Sequence, residues 1–297
     1  MVEIRTIEEC GGAYLQGFVD LVDHVFIRDR CRSGSMLRRY PSLFRVENWR
    51  NLFTAWCDGQ LIGTAGVKEL DGVIDDCAVR GAMVGLVAVR STFRRQGFGA
   101  TLIARVSDVL ASRGLDFSVL WTTTPGFYSS IGWSARDNGV FAQLSNSHWS
   151  GHSFADSKLS ESVQEIERVR RIWQPVHFSR TALDYSAVPP SVDAVTCLRA
   201  GSTYGDGAYA IVGIKGSAGS VYEFVGSPQC YQELWDKLIA RFSVVYINDC
   251  EGSASFKWMC QNTELVWNRQ SLAMWMTSDR PCETNTRFMH IPYFDRI

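Results

Sequence analysis

One segment constrains this 297-residue chain more than any other. Ala82–Val89 is a continuous apolar run, the pattern of a central strand buried on both faces. It leads into a basic loop, Arg90-Ser91-Thr92-Phe93-Arg94-Arg95-Gln96-Gly97-Phe98-Gly99-Ala100. Residues 98–113 then place Leu102, Ile103, Val106, Val109 and Leu110 on one helical stripe, with Gly114 where a helix C-terminus favours it. A buried strand feeding such a loop and helix has the physics of an anion site. The first backbone N–H groups of a helix lack internal partners and lie at the positive end of its dipole. Gly97 and Gly99 let the backbone approach a bulky anion, and Arg94 and Arg95 add charge. Phosphate or pyrophosphate is the natural occupant. The GxxxxGK[ST] phosphate loop is absent, and the GxGxxG dinucleotide fingerprint fails because no third glycine follows near Ile103.

The flanking chain reads as α/β. Val2–Arg5 alternates as a short strand, and residues 8–26 carry apolar positions at helical spacing. Residues 27–50 hold seven arginines among few acids, either a solvated face or a cleft wall that meets an anion. Leu52–Cys57 and Leu61–Val67 flank Asp58-Gly59, a hairpin signal. Residues 71–81 read as a loop, Phe117–Thr123 as a strand, and Pro125–Ile131 as a break followed by a short helix. Residues 145–160, rich in Ser, Gly, Asn and His, read as a linker between domains at 1–150 and 151–297. Beyond it, a helix over Glu161–Trp173 is ended by Pro175. Strands at 209–214, 220–225, 244–248, 265–267 and 272–276 and a helix at 231–242 follow. The order strand, helix, strand at 220–248 mirrors that at 84–123 and suggests an internal duplication. The tryptophans of this half, Trp235, Trp258, Trp267 and Trp275, are read as core.

Thirty basic and thirty-one acidic residues leave a formal charge of −1, so no global basic field gathers nucleic acid. No run of about 18 apolar residues predicts a membrane-spanning helix, and the polar opening MVEIRTIEEC does not resemble a signal peptide. Nine cysteines without a CxxC pair suggest reduced thiols and a cytoplasmic protein. His148 and His152 have a metal-compatible spacing but no third ligand nearby, so no metal is expected.

The run Val87-x-Val89-x-Ser91-x-Phe93-Arg94-x-x-Gly97-x-Gly99 resembles the acyl-CoA pyrophosphate loop of the GCN5-related N-acetyltransferases, the GNAT superfamily; Ser91 stands where proline is usual. Gly126-Phe127-Tyr128-Ser129-Ser130-Ile131-Gly132-Trp133 resembles the same family's Phe-Tyr-x-x-x-Gly-Phe signature, with Trp133 for the final Phe. The resemblance covers residues 1–145. Arg39-Tyr40-Pro41, Glu47-Asn48 and Asn51-Leu52-Phe53 extend it to a tandem-domain subgroup that includes the enhanced-intracellular-survival acetyltransferases, which carry a further sterol-carrier-like domain. Mycothiol synthase is similar in two-domain architecture.

The resemblance implies a mixed, mostly antiparallel sheet flanked by helices, followed by a degenerate second domain. It also implies acetyl-CoA, or another acyl-CoA, as cosubstrate. Val87 and Val89 would present backbone to the pantetheine arm, and Arg94, Arg95, Gln96, Gly97, Phe98, Gly99 and Ala100 would hold the pyrophosphate. Tyr128 would protonate the leaving thiolate, as a phenol still protonated at neutral pH can. His24, Glu69 and Trp121 are candidates for the acceptor side, and His24, Glu69 or an ordered water chain for the base. The second half lacks the two-glycine cradle at Gly226-Ser227-Pro228-Gln229-Cys230, so one cofactor site per chain is expected. The expected partner is a small-molecule amine, with no nucleic acid or membrane; a homo-oligomer is allowed. The alternatives are a protein or peptide N-acetyltransferase and a non-catalytic acyl-CoA-binding protein.

Overall fold

The structure is a computed structural model, and it describes all residues except 1, 75, 147, 148, 150–156, 160–162, 202–205, 271, 278–289 and 297. His148, His152, Asp75, Cys282 and most of the 145–160 linker therefore lie outside the described residues. In chain order the first half contains β1 (Val2–Thr6), α1 (Ile7–Cys10), α2 (Leu15–Phe26), α3 (Met36–Arg39), β2 (Leu52–Cys57), β3 (Gln60–Ile74) and β4 (Cys77–Val89). It continues with α4 (Phe98–Ser112), β5 (Phe117–Trp121), α5 (Pro125–Ser129), β6 (Ser134–Ala135) and β7 (Gly139–Ser145). The second half contains β8 (Ser157–Lys158), α6 (Val163–Trp173), β9 (Val176–Phe178), β10 (Ala194–Ala200), β11 (Ala208–Lys215), β12 (Ala218–Gly226) and α7 (Tyr231–Arg241). It ends with β13 (Val244–Cys250), α8 (Ala254–Asn262), β14 (Asn268–Arg269) and β15 (Ala273–Thr277).

Two sheets result, and both are mixed and flanked by helices, as expected. The first runs β1-β2-β3-β4-β5-β15-β6, with β9 also on β3; the second runs β14-β7-β13-β12-β11-β10-β8. Asp58 and Gly59 adopt φ 49° and 75°, the left-handed pair that a tight hairpin turn requires. β4 and β5 pair in parallel around the crossover helix α4, and β12 and β13 pair in parallel around α7. The mirrored order in the sequence is thus a mirrored topology. Each crossover helix covers its sheet with its apolar stripe. Leu102, Ile103 and Val106 of α4 pack with Phe53, Ile62 and Val67, and Leu234 and Leu238 of α7 pack with Val212, Val221 and Val245. Each such fully buried side chain contributes about 1.5–3 kcal/mol of transfer free energy.

Four expectations need correction. Residues 71–81 are not a loop: β3 and β4 extend through them and pair as far as Ile74↔Cys77. Their partial exposure and interspersed charge hid a long hairpin that projects from the sheet and is held by β9 at Gly72↔Phe178. Residues 8–26 form two helices, α1 and α2, broken at Gly11-Gly12. Residues 265–267 are not a strand; the following Asn268–Arg269 make a two-residue pairing with β7 instead. Trp267 serves there as a packing residue against Phe256. The predicted strands also miss β7 and β10.

The two sheets exchange strands across residue 150. β7 from the first half pairs with β13, while β15 from the second half pairs with β5, Ala273 opposite Trp121. Within the second half a buried ion cluster forms: Arg180 bonds Glu223 on β12 and, at 2.6 and 2.8 Å, both oxygens of Asp295. In the basic 27–50 segment Arg28, Arg30, Arg38, Arg45 and Arg50 form a solvated face, while Arg39 ties the halves together. Arg39 donates to the carbonyls of Val188, Pro189 and Val192 at 3.2, 3.0 and 3.1 Å.

Candidate active site

The site begins where β4 and β5 part. Their parallel pairing runs only from Gly81↔Phe117 to Met83↔Val119, although β4 continues to Val89 and β5 to Trp121. The cause of the parting lies on the other edge of β4. Between Thr64↔Ala88 and Gly66↔Gly85 the register with β3 slips, and Leu86 takes a left-handed φ of 52°. Thr64 fixes this bulge by donating its hydroxyl to the Leu86 carbonyl at 3.1 Å. A bulge increases local twist and turns the strand away from its neighbour. Val84–Val89 consequently line a notch, with no β5 ladder on that edge among the described residues.

The loop at the end of β4 closes one end of the notch. Gly97 is the N-cap of α4 at φ 84°, and no side chain caps the helix. The first intrahelical bond, Thr101 N–H to the Gly97 carbonyl at 3.1 Å, leaves the N–H groups of Phe98, Gly99 and Ala100 free of helical partners. The first turn carries no acidic residue. Arg94 donates Nε–H to the Val89 carbonyl at 2.9 Å, and Gln96 donates to the Thr92 carbonyl at 3.0 Å, so these side chains hold the loop's shape while staying exposed. Arg95 is exposed at φ 62°. The glycines face space. A Cβ on Gly97 would have nothing within 4 Å, and one on Gly99 would make only ordinary contacts, 3.5 Å to Phe127 and 3.6 Å to Val89. The protein's own packing does not demand glycine at position 99. This is the fit expected of a pyrophosphate-bearing molecule.

The corresponding turn of the second half differs for a physical reason. A Cβ on Gly226 would lie 2.3 Å from the Ala208 Cα, so that glycine serves strand contact within the protein. A 3-10 turn over Pro228–Cys230 then leads into α7.

Tyr128 sits on α5 just past β5. Phe127 meets its ring edge-on at 4.8 Å and Trp133 at 6.4 Å, and it belongs to the core under α4. Burial pushes its phenol up to about 12. The same helix brings Phe127 against Gly99, so α5 and the cradle are neighbours.

The acceptor-side candidates part company. Trp121 ends β5 at the mouth of the notch, on the face opposite α4, and Arg296 stacks over its ring at 4.6 Å. Glu69 lies elsewhere. Its Oε1 accepts from Arg113 at 2.8 Å, beyond the C-terminal end of α4, while the cradle is at the N-terminal end. At 1.5 Å per residue the 15-residue helix separates the two by about 20 Å. His24 is exposed on α2, with Asp29 at 3.5 Å, and no contact brings it to Tyr128 among the described residues. The structure also adds residues. Leu86 and Thr64 build the bulge, and Arg296 covers Trp121. The paired glycines Gly66 and Gly85 were the available signal for the first; nothing local signalled the second. Among the described residues, no group of three or more His, Cys, Asp or Glu could hold a metal, and no helix is long and apolar enough to cross a membrane.

Comparison with known proteins agrees with this geometry. Residues 4–136 match the family model described as acetyltransferase (GNAT) domain. Comparison with curated proteins gave no significant match. Among solved structures, the chain is similar to a conserved protein from Enterococcus faecalis V583 described as a probable N-acyltransferase. That similarity has a TM-score of 0.71 at 14% identity, over 93% of this chain and 72% of that one. A GCN5-related N-acetyltransferase from Anabaena variabilis gives 0.71 at 12%, over 93% and 73%. Eis1 from Mycobacterium abscessus gives 0.63 at 13%, over 93% and 74%. The notch, the uncapped glycine cradle and the matched family model make residues 4–136 an acetyltransferase domain of the GNAT family.

Proposed function

We propose that the chain is an acyl-CoA-dependent N-acyltransferase that moves an acetyl group to a primary amine of a small molecule, by direct attack in a ternary complex. We also propose that it acts in the cytoplasm, with residues 1–150 catalytic and residues 151–297 a degenerate repeat, each completed by a strand of the other. The observation that carries the reading is the cradle. Gly97 and Gly99 leave open space before an uncapped helix, at the end of a notch beside Tyr128.

Bound acetyl-CoA would supply the activated acyl group as a thioester. The N–H groups of Phe98, Gly99 and Ala100 would bind its pyrophosphate, with the charge of Arg94 and Arg95 beside them. The freed backbone around Val87 and Val89 would orient the pantetheine arm, and N–H groups there would polarise the thioester carbonyl. Tyr128, a phenol protonated at neutral pH and made still less acidic by burial, would hold the proton that the leaving sulfur needs. Trp121 would form the acceptor wall. Glu69 is paired with Arg113 and His24 lies on α2 beside Asp29, which leaves an ordered water as the relay that removes the amine proton.

The test is a panel of small amines and lysine peptides with acetyl-CoA, reading free thiol. Release with a small amine is expected. Release with peptides alone would identify a peptide acetyltransferase. Tight acetyl-CoA binding without release on any amine would identify a non-catalytic binder.

A further inference from the structure

The fold contains a second notch. β12 and β13 pair only from Ala218↔Val244 to Val221↔Ile247, and both run on, to Gly226 and Cys250. As on β4, the register of β12 with its other neighbour slips at this point, between Ile211 and Val212. The opening holds a cavity of about 450 Å³, within the range of small-molecule sites. Trp173, Tyr222, Phe224 and Tyr231 give it an aromatic wall.

The polar feature of that wall is Asp249. Its Oδ1 accepts from the Cys250 N–H at 2.7 Å and the Ser253 hydroxyl at 2.8 Å, and its Oδ2 from the Ser255 hydroxyl at 2.7 Å. All three donors are neutral, and no cation lies within ion-pair distance among the described residues. An ionised carboxylate has about four acceptor positions, so one remains. Burial pushes the Asp249 pKa up, as an uncompensated charge requires. The other charges of the wall are occupied, absent or out of reach. Glu223 is paired with Arg180 and Glu251 with Arg269, and burial keeps His290 neutral; Lys257 also lines the cavity, solvent-exposed and beyond ion-pair distance of Asp249. An unpaired carboxylate beside aromatic faces favours a cation, through charge and through the ring quadrupoles. The tight Gly226 turn offers no cradle for a phosphate.

We propose that this second notch binds a small organic cation, a primary ammonium on a flat apolar body, with the ammonium on Asp249 and the body against Trp173, Tyr222 and Phe224. The site is separate from the transfer site and does not depend on the transfer reaction.

Benzylamine is the probe, with benzyl alcohol as its neutral counterpart. Calorimetry on the full chain should show the amine binding at least ten-fold more tightly than the alcohol. Asp249→Asn should weaken the amine at least ten-fold and leave the alcohol unchanged. Ala254→Trp, at an exposed position on the cavity mouth, should block both while leaving the Asp249 hydrogen bonds in place, which guards against an Asp249 variant that fails to fold. Crystals soaked with 4-bromobenzylamine should show the bromine signal beside Trp173 and Phe224. A signal only beside Trp121 and Tyr128 would support the transfer site and overturn the second one. Equal affinity for amine and alcohol would overturn it too.

Discussion

Replacing Tyr128 by phenylalanine isolates the proposed acid from the rest of the site. The ring stays between Phe127 and Trp133, and no hydrogen bond to the hydroxyl is lost among the described residues, so stability should change by no more than about 1 kcal/mol. With the phenol near 12, only about one molecule in 10⁴–10⁵ is ionised at neutral pH, and the proton is available across the working range. Removing a positioned general acid costs roughly 10²–10⁴-fold, or about 2.7–5.5 kcal/mol of barrier. The loss should appear in kcat, because the proton is needed as the sulfur leaves and not when the ground state forms. The assay is stopped-flow thiol release under single-turnover conditions with a reactive amine, alongside calorimetric acetyl-CoA affinity, which should not move. In the wild type, no alkaline limb due to Tyr128 should appear until pH approaches about 12. A variant that keeps full single-turnover rate would refute the assignment and leave Tyr128 as packing.

Other perturbations address the cradle and the frame. Gly99→Asp should abolish acetyl-CoA binding in calorimetry while the melting curve is retained, because a Cβ there meets only ordinary contacts and the carboxylate faces the pyrophosphate. Titration of the wild type should give one acetyl-CoA per chain; two sites of like affinity would contradict the contrast between Gly99 and Gly226. Burial raises the Asp184 carboxyl, but Lys68 at 2.7 Å and the Thr181 donors outweigh it and hold it near 2. Its stabilisation is therefore complete above about pH 4, the unfolded value, and lost as pH falls through about 2. Lys68→Met should remove it, cost about 3 kcal/mol and move acid unfolding to higher pH, measured by circular dichroism.

The amino-acid sequence by itself determined what depends on neighbours along the chain. The Asp58-Gly59 turn, the apolar run of β4, the stripe of α4 and the Arg94–Ala100 loop are local patterns whose physics acts within a dozen residues, and all were legible. So was the mirrored strand-helix-strand order of the two halves. The tertiary structure alone decided which strand stands beside which. The exchange of β7 and β15 depends on the edge that each sheet leaves open, and an alternating seven-residue run fits either. Glu69 illustrates the same limit at one residue. As an acid near the notch in sequence it was a fair candidate for the base, but Arg113, 44 positions away, holds it at the far end of α4. Arg296 over Trp121 is the converse case, because two residues so far apart in the chain meet only once β15 has been laid beside β5. Long-range pairing is set by the packing of whole layers, and no short window of sequence contains that information.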